Sequence, residues 1–175
     1  MRSSTGPRVW RLMQPSWNNA ADLLELRDDL TRETKRLEQL VISLAALQPR
    51  LVNNSESVEA AALRLHSFYT GVERMLLLVS QVVNGGTPSR GEGWHRRLLE
   101  RMSMPTDTRP AVLQEATQRD LQEYLRFRQL VRNLYADELR AEPIQRLIAQ
   151  LQPTWTLLAG DIASFQRWLT AISGV

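Results

Sequence analysis

The chain predicts an all-α fold, an up-and-down four-helix bundle with a short extra helix. Leucine and other apolar residues recur every seven positions in segments long enough for helices. Proline, glycine and capping residues fall between those segments, and no run alternates with the period of two that a half-buried strand needs. At 175 residues the chain suits one domain with a single core.

The first segment starts near Leu23 and places Leu23, Leu30, Leu37 and Leu44 in one register and Leu26, Leu40 and Leu47 in the other, interrupted only by Glu33. Pro49 ends it. The second begins at Asn53-Asn54-Ser55-Glu56, where Asn53 can cap and Glu56 sits at the capping-box position. It repeats Val58, Leu65, Val72, Val79 against Ala62, Tyr69, Leu76, Val83, and stops at Asn84-Gly85-Gly86. A short helix from about Gly93 to Ser103 is bracketed by Pro88 and Pro105. The next runs from about Leu113 to Leu139, with Phe127, Leu130, Val131 and Leu134 on its apolar side. The last repeats Ile148, Trp155, Ile162, Leu169 against Leu151, Leu158, Phe165, Ile172. Its register passes through Pro153 without a slip, which predicts one kinked helix or two coaxial pieces. Residues 1–16 read as a flexible extension without a secretory h-region, and residues 17–175 as the bundle domain.

Composition narrows the chemistry. Cysteine is absent, so there is neither a disulfide framework nor a thiolate metal site. The two histidines, His66 and His95, stand far apart in the chain, and no metal site or cofactor is expected. No apolar run approaches the roughly 20 residues of a membrane span, and a soluble, cytoplasmic protein is expected. The net charge of +3 is carried almost entirely by arginine, with Lys35 the only lysine. Planar guanidinium groups suit phosphate or carboxylate partners, so the charge permits an RNA partner without demanding one.

The densest chemistry lies in Tyr124-Leu-Arg-Phe-Arg-Gln-Leu-Val-Arg-Asn-Leu-Tyr135. On a straight helix Arg132 and Tyr135 fall within roughly 40° of Arg128, whereas Asn133 lies roughly 140° away. One protomer therefore aims them at one phosphate only if the helix distorts before Asn133 or a dimer completes the site. Structural readings stand beside functional ones. Arg128 and Arg132 suit a solvated helix face near Asp137 and Glu138, Glu73 and Arg74 an exposed pair, and Tyr124 a boundary aromatic. His66 suits the edge of the second helix's apolar stripe.

The order Arg128, Asn133, Tyr135 resembles the signature of the HepT-like branch of the HEPN superfamily, which reads Arg, four residues, His, one residue, Tyr. Asn133 stands at the His position. The stretch from His66 to Arg74, Gly93-Trp-His95 and Arg109-Pro110 resemble the same family, and the likeness runs from about Leu23 to Leu169. It implies a homodimeric bundle in a prokaryotic toxin–antitoxin pair, acting on RNA as a metal-independent endoribonuclease and partnered by a minimal nucleotidyltransferase antitoxin. Arg128 and Asn133 are then the expected catalytic residues, Tyr135 the acceptor for nucleotidyl modification, and Arg132, His95 and Arg74 the RNA- or partner-binding residues. Asparagine cannot titrate near neutral pH, so Asn133 can hold a phosphate but cannot move a proton. The alternative is a non-catalytic HEPN-type module that binds a nucleotidyltransferase or RNA.

Overall fold

A computed structural model describes residues 19–52, 54–135 and 138–174. The expected extension over residues 1–16 lies outside the described residues. Five α-helices follow one another: α1 (Ala20–Leu47), α2 (Ser55–Val83), α3 (Trp94–Ser103), α4 (Glu115–Val131) and α5 (Ala141–Ile172). α1 packs on α2 and α5, and α4 packs on α2 and α5, which closes a ring of four long helices. The short α3 lies against α4 and α2.

Paired contacts show that neighbours run in opposite directions. Arg64 reaches the Ser43 carbonyl and Arg74 reaches Glu33, so α2 descends as α1 climbs. Tyr124 donates to the Leu147 carbonyl at 2.9 Å, while Gln114, at the N-terminal end of α4, donates to Asp161 at 2.8 Å. The seven-residue stripes read from the sequence supply most of the buried faces, whereas Ile172 at the end of α5 is 39% exposed and Leu130, expected on the apolar side of α4, is 54% exposed. Leu23, Leu30, Leu37 and Leu44 are at most 2% exposed, and Phe68 meets Tyr124 and Trp155 edge-on at ring separations of 5.4 and 6.5 Å.

Helix ends follow local chemistry. The Asn19 side chain accepts from Ala21 N–H to cap α1, and Asn54 accepts from Ser57 N–H to cap α2. The cap expected at Asn53 thus belongs to the next residue; Asn53 itself lies outside the described residues. α5 continues through Pro153 as one helix. α4 stops at Val131, eight residues short of the end expected at Leu139. There the ladder tightens to three-residue turns, Asn133 N–H to the Leu130 carbonyl and Leu134 N–H to the Val131 carbonyl. Leu139 still packs against the core, from the connector into α5. Apolar spacing made that connector look helical, but the pattern records burial and not backbone state.

Two acids stand on apolar stripes. Glu33 interrupts the α1 heptad, is buried, and is paired with Arg36 and, at 3.4 Å, with Arg74. The other, Glu73 on α2, leads to the site. Among the described residues no helix is long and apolar enough to cross a membrane.

Candidate functional site

Glu73 is 5% exposed, which corrects its reading as half of an exposed pair with Arg74. It lies four residues after Tyr69 and three before Leu76, on the inward face of α2. A carboxylate cannot remain ionised there without partners. It has two. His95 Nδ1 contacts Glu73 Oε1, and Arg128 Nη2 stands 3.7 Å from Glu73 Oε2. Arg128 Nη1 closes the triangle at 3.4 Å from His95 Nε2. Three helices thus each place one ionisable side chain at a single point: α2 Glu73, α3 His95 and α4 Arg128.

The placement of His95 starts with glycine. Gly93 caps α3 at φ 71°, a left-handed conformation that a side chain would strain, and it turns the chain so that α3 opens on Trp94 and His95. The Trp94 ring stacks on the imidazole at 3.8 Å between centroids, and the Arg90 guanidinium lies over Trp94 at 5.8 Å. Glu73 accepts from His95 Nδ1–H, which leaves Nε2 as the ring nitrogen turned toward Arg128. The side chains of His95 and Arg128 are 13% and 12% exposed, so the site is shielded without being sealed.

The polar cluster extends along α2. Tyr69 is fully buried, and its hydroxyl has no hydrogen-bond partner among the described residues; neither has Arg128 Nε. Burial, then the nearby Glu73 charge, pushes the Tyr69 phenol far above its usual range, so it stays a neutral donor. A groove of about 570 Å³ between α3 and α4 is lined by Gly93 and Arg96 of the α3 start and by Gln122, Arg126 and Gln129 of α4, and none of Glu73, His95 and Arg128 lines it. A larger cleft of about 650 Å³ between α4 and α5 contains none of Glu73, His95 and Arg128.

The other expected residues are distributed unevenly. Arg132 ends α4 one turn beyond Arg128 and is exposed. Asn133 lies past the helix end, its amide donating to the Gln129 carbonyl at 3.3 Å, and it makes no hydrogen bond to Arg128 or His95. Tyr135 is 78% exposed, with its backbone N–H on Glu138 at 2.8 Å. Arg74 points away from the cluster toward Glu33 on α1. The acid partners expected for Arg128 are replaced by Glu73; Glu138 instead holds Tyr135, and Asp137 lies outside the described residues. Glu73 was missed by sequence reasoning, although an acid one step along from the apolar Val72 on a buried stripe was the available signal.

A family model described as HepT-like protein matches residues 60–169, more than half of the chain. The chain belongs to the HepT-like family. The match runs from α2 into α5 and therefore contains every member of the Glu73–His95–Arg128 cluster of this HepT-like protein. No curated protein and no solved structure matches the chain.

Proposed function

We propose that this HepT-like protein is a metal-independent endoribonuclease of a prokaryotic toxin–antitoxin pair, with Arg128 and His95 at its reacting centre. The observation that carries the reading is the Glu73–His95–Arg128 triangle, which sets a permanent cation beside a titratable imidazole. Attack of an RNA 2′-hydroxyl on the adjacent phosphate builds negative charge on the phosphorane oxygens, and a guanidinium can meet two of them at once. The same attack needs a proton moved. His95 supplies a titrating group that Asn133 cannot, and Glu73 fixes its orientation and stabilises the imidazolium when it forms. Phosphate arriving at Arg128 competes with Glu73 and frees His95 Nε2 for the substrate.

The regulatory half of the reading rests on Tyr135. Its exposure makes the hydroxyl accessible to a minimal nucleotidyltransferase antitoxin. An added AMP would place a phosphodiester close to Arg132 and obstruct RNA without a change of fold. We further take the working form to be a cytoplasmic homodimer, in which the exposed α4 ends approach each other.

A second reading has its own support. Glu73 already offsets the charge of Arg128, and both side chains are largely covered, as in a structural ion pair of a non-catalytic module that binds RNA or the nucleotidyltransferase. The test is incubation of the purified protein with varied RNAs in EDTA, with mapping of cleavage ends. Products ending in 2′,3′-cyclic phosphate support the enzyme, and an inert but RNA-binding or partner-binding protein supports the module. Intact mass after co-expression with the nucleotidyltransferase tests Tyr135; an adduct found only elsewhere removes it.

A further inference from the structure

The chain has two histidines, far apart in sequence, and both come to the α2–α4 seam where Arg128 lies. His66, Tyr69 and Glu73 share one face of α2, since they are spaced by three and four residues. Arg128 and Arg132 share a face of α4 in the same way. Because Asn84 at the end of α2 holds Arg109 just before α4, the two helices run antiparallel. Moving from Arg128 to Arg132 therefore moves from Glu73 back toward His66. The His66 ring is partly buried and has no hydrogen bond or ion pair with any described residue.

We propose that His66 is the general base, and His95 the general acid, of RNA transesterification at this site, an inference that rests on the endoribonuclease reading above. His66 takes the proton of the 2′-hydroxyl as O2′ bonds to phosphorus. The bond from phosphorus to O5′ breaks, and the departing oxygen takes a proton from the His95 imidazolium that Glu73 supports. Arg128, with Arg132 one turn away, meets the charge of the phosphorane. One proton enters the protein and one leaves, so a 2′,3′-cyclic phosphate and a 5′-hydroxyl form with no other reactant.

The charge environment suits the division of labour. Burial, then Arg128 and Arg132 from α4, lower the pKa of His66, against a weaker opposing pull from Glu73 on its own helix. At neutral pH His66 is a free base. His95 has the carboxylate partner that an acid needs, and Tyr69 between them stays neutral.

The test uses the full chain and a short RNA containing the mapped cleavage step, made with either oxygen or bridging sulfur at the 5′ position, because a thiolate departs without an acid. His95→Gln should lose about 10²–10⁴-fold on the oxygen substrate and recover most of it on the sulfur substrate, whereas His66→Gln should lose as much on both. The wild-type rate should rise with pH through an apparent pKa below the ordinary histidine value of 6.5. A folded His66→Gln that cleaves like wild type, or one rescued by sulfur, overturns the assignment while leaving the endoribonuclease reading intact. Should His66→Gln not fold, a wild-type rising limb centred above 6.5 overturns it instead. A wild type inert on both substrates removes the endoribonuclease reading and this assignment with it.

Discussion

Among the described residues Arg109 is buried and Arg128 is largely covered, and the two environments are opposite in kind. Arg109 is 3% exposed and spends its donors on neutral acceptors: Nε on the Asn84 side chain at 2.7 Å, Nη1 on the Met104 and Pro110 carbonyls at 3.0 and 2.9 Å, and Nη2 on the Arg101 carbonyl at 3.0 Å. Two of those carbonyls, of Arg101 and Met104, lie at the C-terminal end of α3, where the helix dipole also favours a cation. Arg109 thus ties the end of α2, the end of α3 and the approach to α4 into one joint. Arg128 instead faces an ionised acid and an imidazole, and leaves Nε unpartnered. A guanidinium saturated by carbonyls has nothing left to offer a ligand, whereas one held by a displaceable ion pair and carrying a free donor can exchange partners. Burial alone therefore does not distinguish a structural arginine from a reactive one; the nature of its acceptors does.

The largest effect expected from this contrast is at the joint. Arg109→Ala removes a buried guanidinium and its four hydrogen bonds at the joint, and should cost about 3 kcal/mol in urea unfolding. Arg109→Lys should restore little, since an ammonium cannot match the planar fork. In both variants cleavage per folded molecule should stay at the wild-type level. Arg128→Ala should show the converse, with RNA cleavage down about 10²–10³-fold and a smaller stability loss than Arg109→Ala, because Glu73 keeps His95 as a partner. A larger loss of stability at Arg128 than at Arg109 would break the contrast.

How much of this was readable from the chain differs by region. The heptad stripes gave the four long helices and the buried faces of α1, α2 and α5, since burial imposes that period directly. Pro153 was read as compatible with one helix, and one helix runs through it. The end of α4 was not readable, because Leu134 and Leu139 keep apolar spacing into the connector. Of the site, Arg128 and His95 were singled out separately, but nothing in one sequence says that Glu73 meets a residue 22 positions on and another 55 positions on. That is tertiary information, and Glu73 carried only the hint of an acid beside Val72.

Smaller effects sharpen the same contrast. Asn133, outside the triangle with its amide on Gln129, should tolerate Asn133→Ala with only a few-fold change in cleavage in the same assay. Tyr124 offers a control away from the site. Its hydroxyl is held by the Leu147 carbonyl, and burial pushes its pKa up from 10.0 to about 12. The folded state therefore holds that proton more tightly than the unfolded chain does. Its contribution is complete below pH 10 and fades as pH rises through about 12, so unfolding scans should show a fall in stability across that window that Tyr124→Phe reduces.

The most direct measurement of the central claim is metal-free RNA cleavage by wild type, Arg128→Ala and His95→Gln, each checked for folding by urea unfolding. The account predicts 2′,3′-cyclic phosphate ends from wild type and a loss of at least about 10²-fold in both folded variants. Cleavage at the wild-type rate by a folded Arg128→Ala or His95→Gln, or no cleavage by wild type on any RNA tried, would contradict it.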